Sequence, residues 1–181
     1  MHIRNVQKIK SFLTITNLKT VVNALVYSRL DYCNSLYSGL SQNLIHRLQL
    51  VQNAAARLIT GTRRFEHITP ILAELHWLPV PFRIDFKILL LTFKSLNGLA
   101  PSYLSSMVEY YEPARSLRSA GVGLLKESHK AKLVSKGDRA FVVRAPKLWN
   151  SLPPDIRLTT SLSSFKSLLK THFYRMAFAS L

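Results

Sequence analysis

The chain has one cysteine, few acids and no long apolar run, and each shortage removes a class of protein. Cys33 is the only cysteine in 181 residues, which excludes an internal disulfide and every cysteine-based zinc cluster. Its apolar and aromatic neighbours predict a small buried hydrophobe. The nine acids are scattered singly. No Asp-Asp or Asp-x-Asp exists to hold two metal ions for phosphoryl transfer, and Glu109 and Glu112, the nearest neighbours, fall where a helix is expected to end. The six histidines lack His-x-x-x-His spacing. His67 and His76 flank a short helix near Glu66 and Glu74, where ordinary polar or half-buried histidines are the simpler reading. Gly121-x-Gly123 is too short to cradle a phosphate. The apolar run Ile88 to Leu91 falls far short of the roughly 20 residues that span a bilayer. No signal peptide is evident, since Met1-His2-Ile3-Arg4 leads into an amphipathic pattern. These absences predict a non-enzyme of the nucleus or cytoplasm, not secreted, with no membrane, metal or cofactor and no catalytic residues.

What is abundant is positive charge. Against nine Asp+Glu stand 25 Lys+Arg, a formal net charge of +16. A fold does not need that excess, which opposes compactness by self-repulsion. A solvated basic surface is the plain explanation; a polyanionic partner, RNA or DNA before an anionic membrane, is the sharper one. Hydrophobic residues make up 48% and charged residues 19%, a globular balance that can bury a core.

The periodicity is helical. Ile3, Val6, Ile9 and Phe12 lie three apart in a weak first helix. Thr16-Asn17 is placed to cap the next, with Leu18, Val21, Val22, Leu25 and Val26 on one face. A helix then continues to Gly39 with a kink near Ser28–Leu30. Ser41 caps a helix in which Leu44, Leu48, Val51, Ala55 and Leu58 form the cleanest 3.6-residue series, closed by Gly61. Thr69-Pro70 reads as a cap followed by a first-turn proline, and His76-Trp77-Leu78-Pro79 breaks that short helix. Pro81 opens the most apolar helix, ended by Asn97-Gly98. Pro101 begins another short helix. From Glu112-Pro113 to Pro154 the chain turns basic, with short strands expected at Leu124-Leu125 and Lys132-Leu133-Val134. Lys136-Gly137-Asp138 is a plausible turn, and Ala140-Phe141-Val142-Val143 a strand or the approach to a short helix. A last amphipathic helix follows Ser161, with Leu162, Phe165, Leu168, Leu169, His172, Phe173 and Met176 on one face. The expected fold is mainly α: a helical bundle over 1–110, a basic mixed-structure segment over 111–160, and a C-terminal amphipathic helix over 161–181 packing back.

Basic residues interleaved with aromatics are the remaining functional signal. Arg57, Arg63, Arg64 and Phe65 end the long helix, with Arg83 and Lys87 potential neighbours. Arg115, Arg118, Lys130, Lys132, Lys136, Arg139, Arg144 and Lys147 form a second cluster with Phe141 and Trp149. Lysine and arginine give salt-dependent phosphate affinity, and aromatics stack on unpaired bases. The competing reading for Trp77 and Trp149 is core packing. No base-reading motif is present, so binding would be directed at the backbone.

Four stretches carry a resemblance: SRLDYCNSLYSGL (28–40), HRLQLVQNAAARLITG (46–61), HITPILAELHWLPVPFRIDFKILLLTFKSLNGLAPSYL (67–104) and GDRAFVVRAPKLWNSLPPDIR (137–157). They resemble the part of LINE-type (non-LTR) retrotransposon reverse transcriptases that follows the polymerase palm. The opening HIRNVQKIKSFL is similar to the stretch just after the palm. The resemblance implies a thumb-like helical region over about residues 1–110 and a C-terminal extension after it. The family's fingers, palm, Tyr-x-Asp-Asp motif and endonuclease have no counterpart here, so no catalytic residue carries over. A truncated copy of such an element, or a gene derived from one, is implied, retaining a thumb's grip on RNA, DNA or an RNA–DNA hybrid. The alternative is an interaction or structural remnant that docks on a protein partner through its C-terminal helix.

Overall fold

The computed structural model describes residues 2–113, 123–127 and 140–179. The protein is mainly α: 69% of the described residues are helical, against about a third in ordinary globular proteins, and no strand forms among them. The chain makes two compact units. The first comprises Met1–Asn34, Leu40–Arg83 and Tyr174–Leu181; the second comprises Ser35–Gly39 and Ile84–Phe173.

In the first unit, α1 (His2–Ile9) is shorter than its apolar spacing suggests. The chain tightens to a 3-10 turn at Lys10–Phe12, which rotates Phe12 into solvent and leaves Val6 as the residue α1 buries most deeply. Thr14, not Thr16-Asn17, caps α2 (Ile15–Val22), its hydroxyl accepting from the Asn17 N–H at 3.3 Å. A π-helical turn at Asn23–Tyr27 follows, one turn before the expected kink, and leads into α3 (Ser28–Asp31). The helix does not reach Gly39. Tyr32 is extended and Cys33 left-handed at φ 50°, before a 3-10 turn at Asn34–Tyr37. That reversal buries Asn34 and leaves Cys33 exposed, correcting the expectation of a buried thiol.

The long helix α4 (Gln42–Thr60) starts after Ser41, whose hydroxyl makes no cap bond, and ends on Gly61 at φ 76°. Short α5 (Thr69–Glu74) begins one residue earlier than expected, with Ile68 at the cap and the proline in its first turn. Its stop does not need Pro79. His76 is left-handed at φ 54°, and the Trp77 and His76 N–H groups donate to the Leu72 and Ala73 carbonyls at 2.8 and 2.9 Å. This is the Schellman closure, with histidine where glycine is usual. The core gathers Val6, Leu18, Val22, Val26, Tyr27, Ala55, Leu58 and Ile59. A smaller cluster joins Ala56 and Leu72 to Phe178 of the last helix.

Polar side chains fix the unit's register. Gln52 is 0% exposed; its amide donates to the Tyr27 hydroxyl at 2.7 Å and the Leu78 carbonyl at 2.8 Å. The neighbouring Gln49 carbonyl accepts from the Val80 N–H at 2.8 Å. Together they tie the chain entering α6 (Val80–Leu96) to α4.

In the second unit, α6 buries Ile84, Ile88, Leu89, Thr92, Phe93 and Ser95. The hydroxyls of Thr92 and Ser95 donate back to the Ile88 and Leu91 carbonyls, which lets two polar residues sit inside. The helix ends as its glycine predicts: Gly98 has φ 67°, and the Leu99 N–H closes onto the Lys94 carbonyl at 2.8 Å. After α7 (Ser102–Ser105), the expected strand at Leu124-Leu125 is a single antiparallel bridge between Tyr110 and Leu125. Its ladder bonds come from the flanking residues, Tyr111 N–H to the Leu124 carbonyl and Lys126 N–H to the Glu109 carbonyl, each at 2.9 Å. The Leu125 N–H and carbonyl face the other way, where the Asn150 side-chain amide takes both at 2.8 and 2.9 Å. Ala140 caps α8 (Phe141–Asn150), so Phe141-Val142-Val143 is helical and not a strand. The strand expected at Lys132-Leu133-Val134 and the turn at Lys136-Gly137-Asp138 lie outside the described residues.

Short α9 (Pro154–Arg157) precedes α10 (Leu162–Phe178). Phe165 stacks on Phe93 at 4.4 Å and on Trp149 at 5.7 Å between ring centres. Leu169 and Phe173 are also buried, while Leu168 and Met176 are exposed. No helix among the described residues is long and apolar enough to cross a membrane.

Candidate nucleic-acid interface

The sequence places Arg57, Arg63, Arg64 and Phe65 at the end of α4, and the structure brings them together in the first unit. The left-handed turn at Gly61 reverses the chain, so residues 61–67 fold back beside the last turn of α4. Arg57 holds that loop. Its Nη2 donates to the Glu66 carbonyl at 3.1 Å and its Nε lies 3.4 Å from the Arg63 carbonyl. Thus Arg57 is half-buried and positions the loop rather than presenting its charge.

Arg63, Arg64 and Phe65 are exposed. The Arg63 guanidinium lies 6.0 Å from the Phe65 ring centre, and Phe65 is 80% exposed. A flat ring with a cation beside it, both open to solvent, suits an unpaired base and its phosphate. Lys10 reaches the start of this loop: its ammonium would lie 3.8 Å from a side-chain carbon added at Gly61. Sequence reasoning missed Lys10, because 51 residues separate it from Gly61 and no periodicity links them.

The unit's charge balance favours an anion there. It holds eleven lysines and arginines against three acids, Asp31, Glu66 and Glu74. Asp31 is taken by Arg83 through a two-pronged ion pair, one arm of which is Nε to Oδ1 at 2.9 Å. Arg83 therefore does not join the Arg57 group; its guanidinium lies over the Tyr27 ring at 4.6 Å from the centre.

The second predicted cluster is dispersed in its described part. Arg144 is ion-paired with Asp85 at 3.1 Å. Burial raises the Asp85 carboxyl above its ordinary range, against the pull of the Arg144 charge and hydrogen bond. Lys147 is exposed on α8. Trp149 is 1% exposed and its indole N–H donates to the Gly123 carbonyl at 2.8 Å, so it is a core residue and not a stacking platform. Arg115, Arg118, Lys130, Lys132, Lys136 and Arg139 lie outside the described residues.

Among the described residues no group of three His, Cys, Asp or Glu side chains could hold a metal ion. The His76 ring packs against Tyr174, 5.8 Å between centres, which gives it a structural contact. No protein-family model matches the chain, and neither a curated protein nor a solved structure matches it.

Proposed function

We propose that this protein binds RNA, DNA or an RNA–DNA hybrid through the sugar-phosphate backbone, without sequence preference, as the thumb-like region following a LINE-type reverse transcriptase palm would. The observation that carries the reading is the 61–67 loop. Arg57 holds it against α4 from behind, leaving Arg63, Arg64 and Phe65 exposed, and Lys10 reaches the start of the loop at Gly61. Preformed cations lose little freedom on meeting a phosphate, and counterion release supplies the affinity. A protein-docking role for α10 has less support: Phe165, Leu169 and Phe173 are already buried, which leaves Leu168 and Met176 as isolated exposed apolar residues on that helix.

The test is a salt titration of binding to a fluorescent hybrid duplex. Affinity should fall steeply with salt, and Arg63→Ala/Arg64→Ala should flatten the log–log slope by about 1.8 if each contacts one phosphate. Phe65→Ala should weaken single-strand binding more than duplex binding. Absence of binding at low salt, or an unchanged slope in the double variant, would overturn the assignment to this loop.

A further inference from the structure

The cleanest apolar series in the sequence is only half used by the fold. Ala55 and Leu58, in the C-terminal half of α4, are buried, but Leu44 and Val51 are exposed and Leu48 is half-buried. Beside them the π-helical turn widens the backbone, and Leu25 from that turn is exposed as well. Between α1, this turn, α3 and α4 lies an open groove of about 600 Å³ within the first unit. Leu25, Leu48, Leu50 and Val51 contribute to its apolar lining, and among the described residues its only charged lining residues are Arg4 and Arg29.

We propose that this groove docks an amphipathic helix of a protein partner, with leucine-like residues on one face and acids flanking that face. The apolar floor calls for side chains at i, i+3, i+4 and i+7, the spacing by which a helix seats in a groove. The flanks follow from charge complementarity. Arg4 and Arg29 are exposed, and among the described residues neither has an acidic partner and no acid lines the groove. A basic helix would set like charges against them and is disfavoured. The π turn fits such a role, since single-turn π-helices recur at functional sites. The proposal stands apart from the 61–67 loop and does not depend on nucleic-acid binding.

The test uses the full chain and a fluorescein-labelled helical peptide of about four turns, with leucines at that spacing and glutamates beside them. A scrambled peptide of identical composition controls for attraction to the net charge. The amphipathic peptide should bind saturably and about tenfold tighter than the scrambled one. Leu50→Asp should reduce its affinity about tenfold, and Arg4→Gln/Arg29→Gln should reduce both its affinity and its salt dependence. Leu50 is 51% exposed, so its variant should melt like the parent; Leu50→Ala replaces it if it does not. Equal binding of both peptides, or parent-like binding by the Leu50 variant, overturns the proposal. A concentration-dependent dimer abolished by the Leu50 variant would overturn it too, because the occupant would be a second copy.

Discussion

Replacing Gln52 by leucine keeps side-chain size nearly constant and removes three hydrogen bonds at once. The Gln52 amide nitrogen serves the Tyr27 hydroxyl and the Leu78 carbonyl, and its oxygen accepts from the Gln49 amide at 2.8 Å. In Gln52→Leu the Leu78 carbonyl and the Tyr27 oxygen each lose a donor in a place water does not reach. Each orphaned buried group costs about 1–3 kcal/mol. Gln49 loses less, since its amide also donates to Asn53 at 2.8 Å. The added apolar burial of leucine offsets part of the loss, which leaves a net destabilisation of about 3 kcal/mol. For a chain of this size that lowers Tm by roughly 6–12 °C. Urea unfolding should show the same change in midpoint with an unaltered slope. Tyr27 supplies the control. Burial raises its phenol well above the ordinary range, with the Gln52 bond and the Arg83 charge pulling the other way, so it stays protonated and neutral. Tyr27→Phe in the Gln52→Leu background removes one orphan and should restore about 1 kcal/mol relative to additivity. A neutral or stabilising Gln52→Leu would refute the reasoning, because apolar packing would then outweigh the network.

Arg157 gives the opposite expectation. It is 9% exposed, and its buried Nε and Nη1 have no hydrogen-bond partner among the described residues. Arg157→Met should therefore raise stability by about 1–3 kcal/mol, read as a higher Tm; a lower Tm would mean that the guanidinium is satisfied. Asp85 predicts a pH dependence. Its folded carboxyl is raised above 3.8 by burial, so the folded chain holds this proton more tightly. Its contribution to stability is full below the unfolded value and declines as pH rises through the folded one. Asp85→Asn should flatten that part of the Tm–pH profile, with no change if Arg144 dominates. Cys33, exposed at a left-handed turn, should react with one equivalent of a disulfide reagent in the native state nearly as fast as in denaturant; slow labelling would place it inside.

Rules that act within one turn are legible in the chain's residues alone. Gly61 and Gly98 stop α4 and α6 because only glycine takes φ near 70° without strain. Pro70 marks the first turn of α5, and the series ending in Ala55 and Leu58 belongs to a helix with a buried face. Arg63, Arg64 and Phe65 are legible as an exposed basic loop, since no apolar neighbour competes to bury them. Tertiary structure decided whatever depends on contacts distant in sequence. The edge of Leu125 that faces away from Tyr110 is taken by the Asn150 side chain, 25 residues on. Trp149 is core because Phe165 and the Gly123 carbonyl receive it. Arg83 turns to Asp31, while Lys10 arrives at Gly61 from 51 residues away. The sequence alone determined that this chain is helical and basic, because helix periodicity and net charge are local or additive. Only the fold decided which cations stay free to meet a phosphate, because pairing and burial depend on which elements meet.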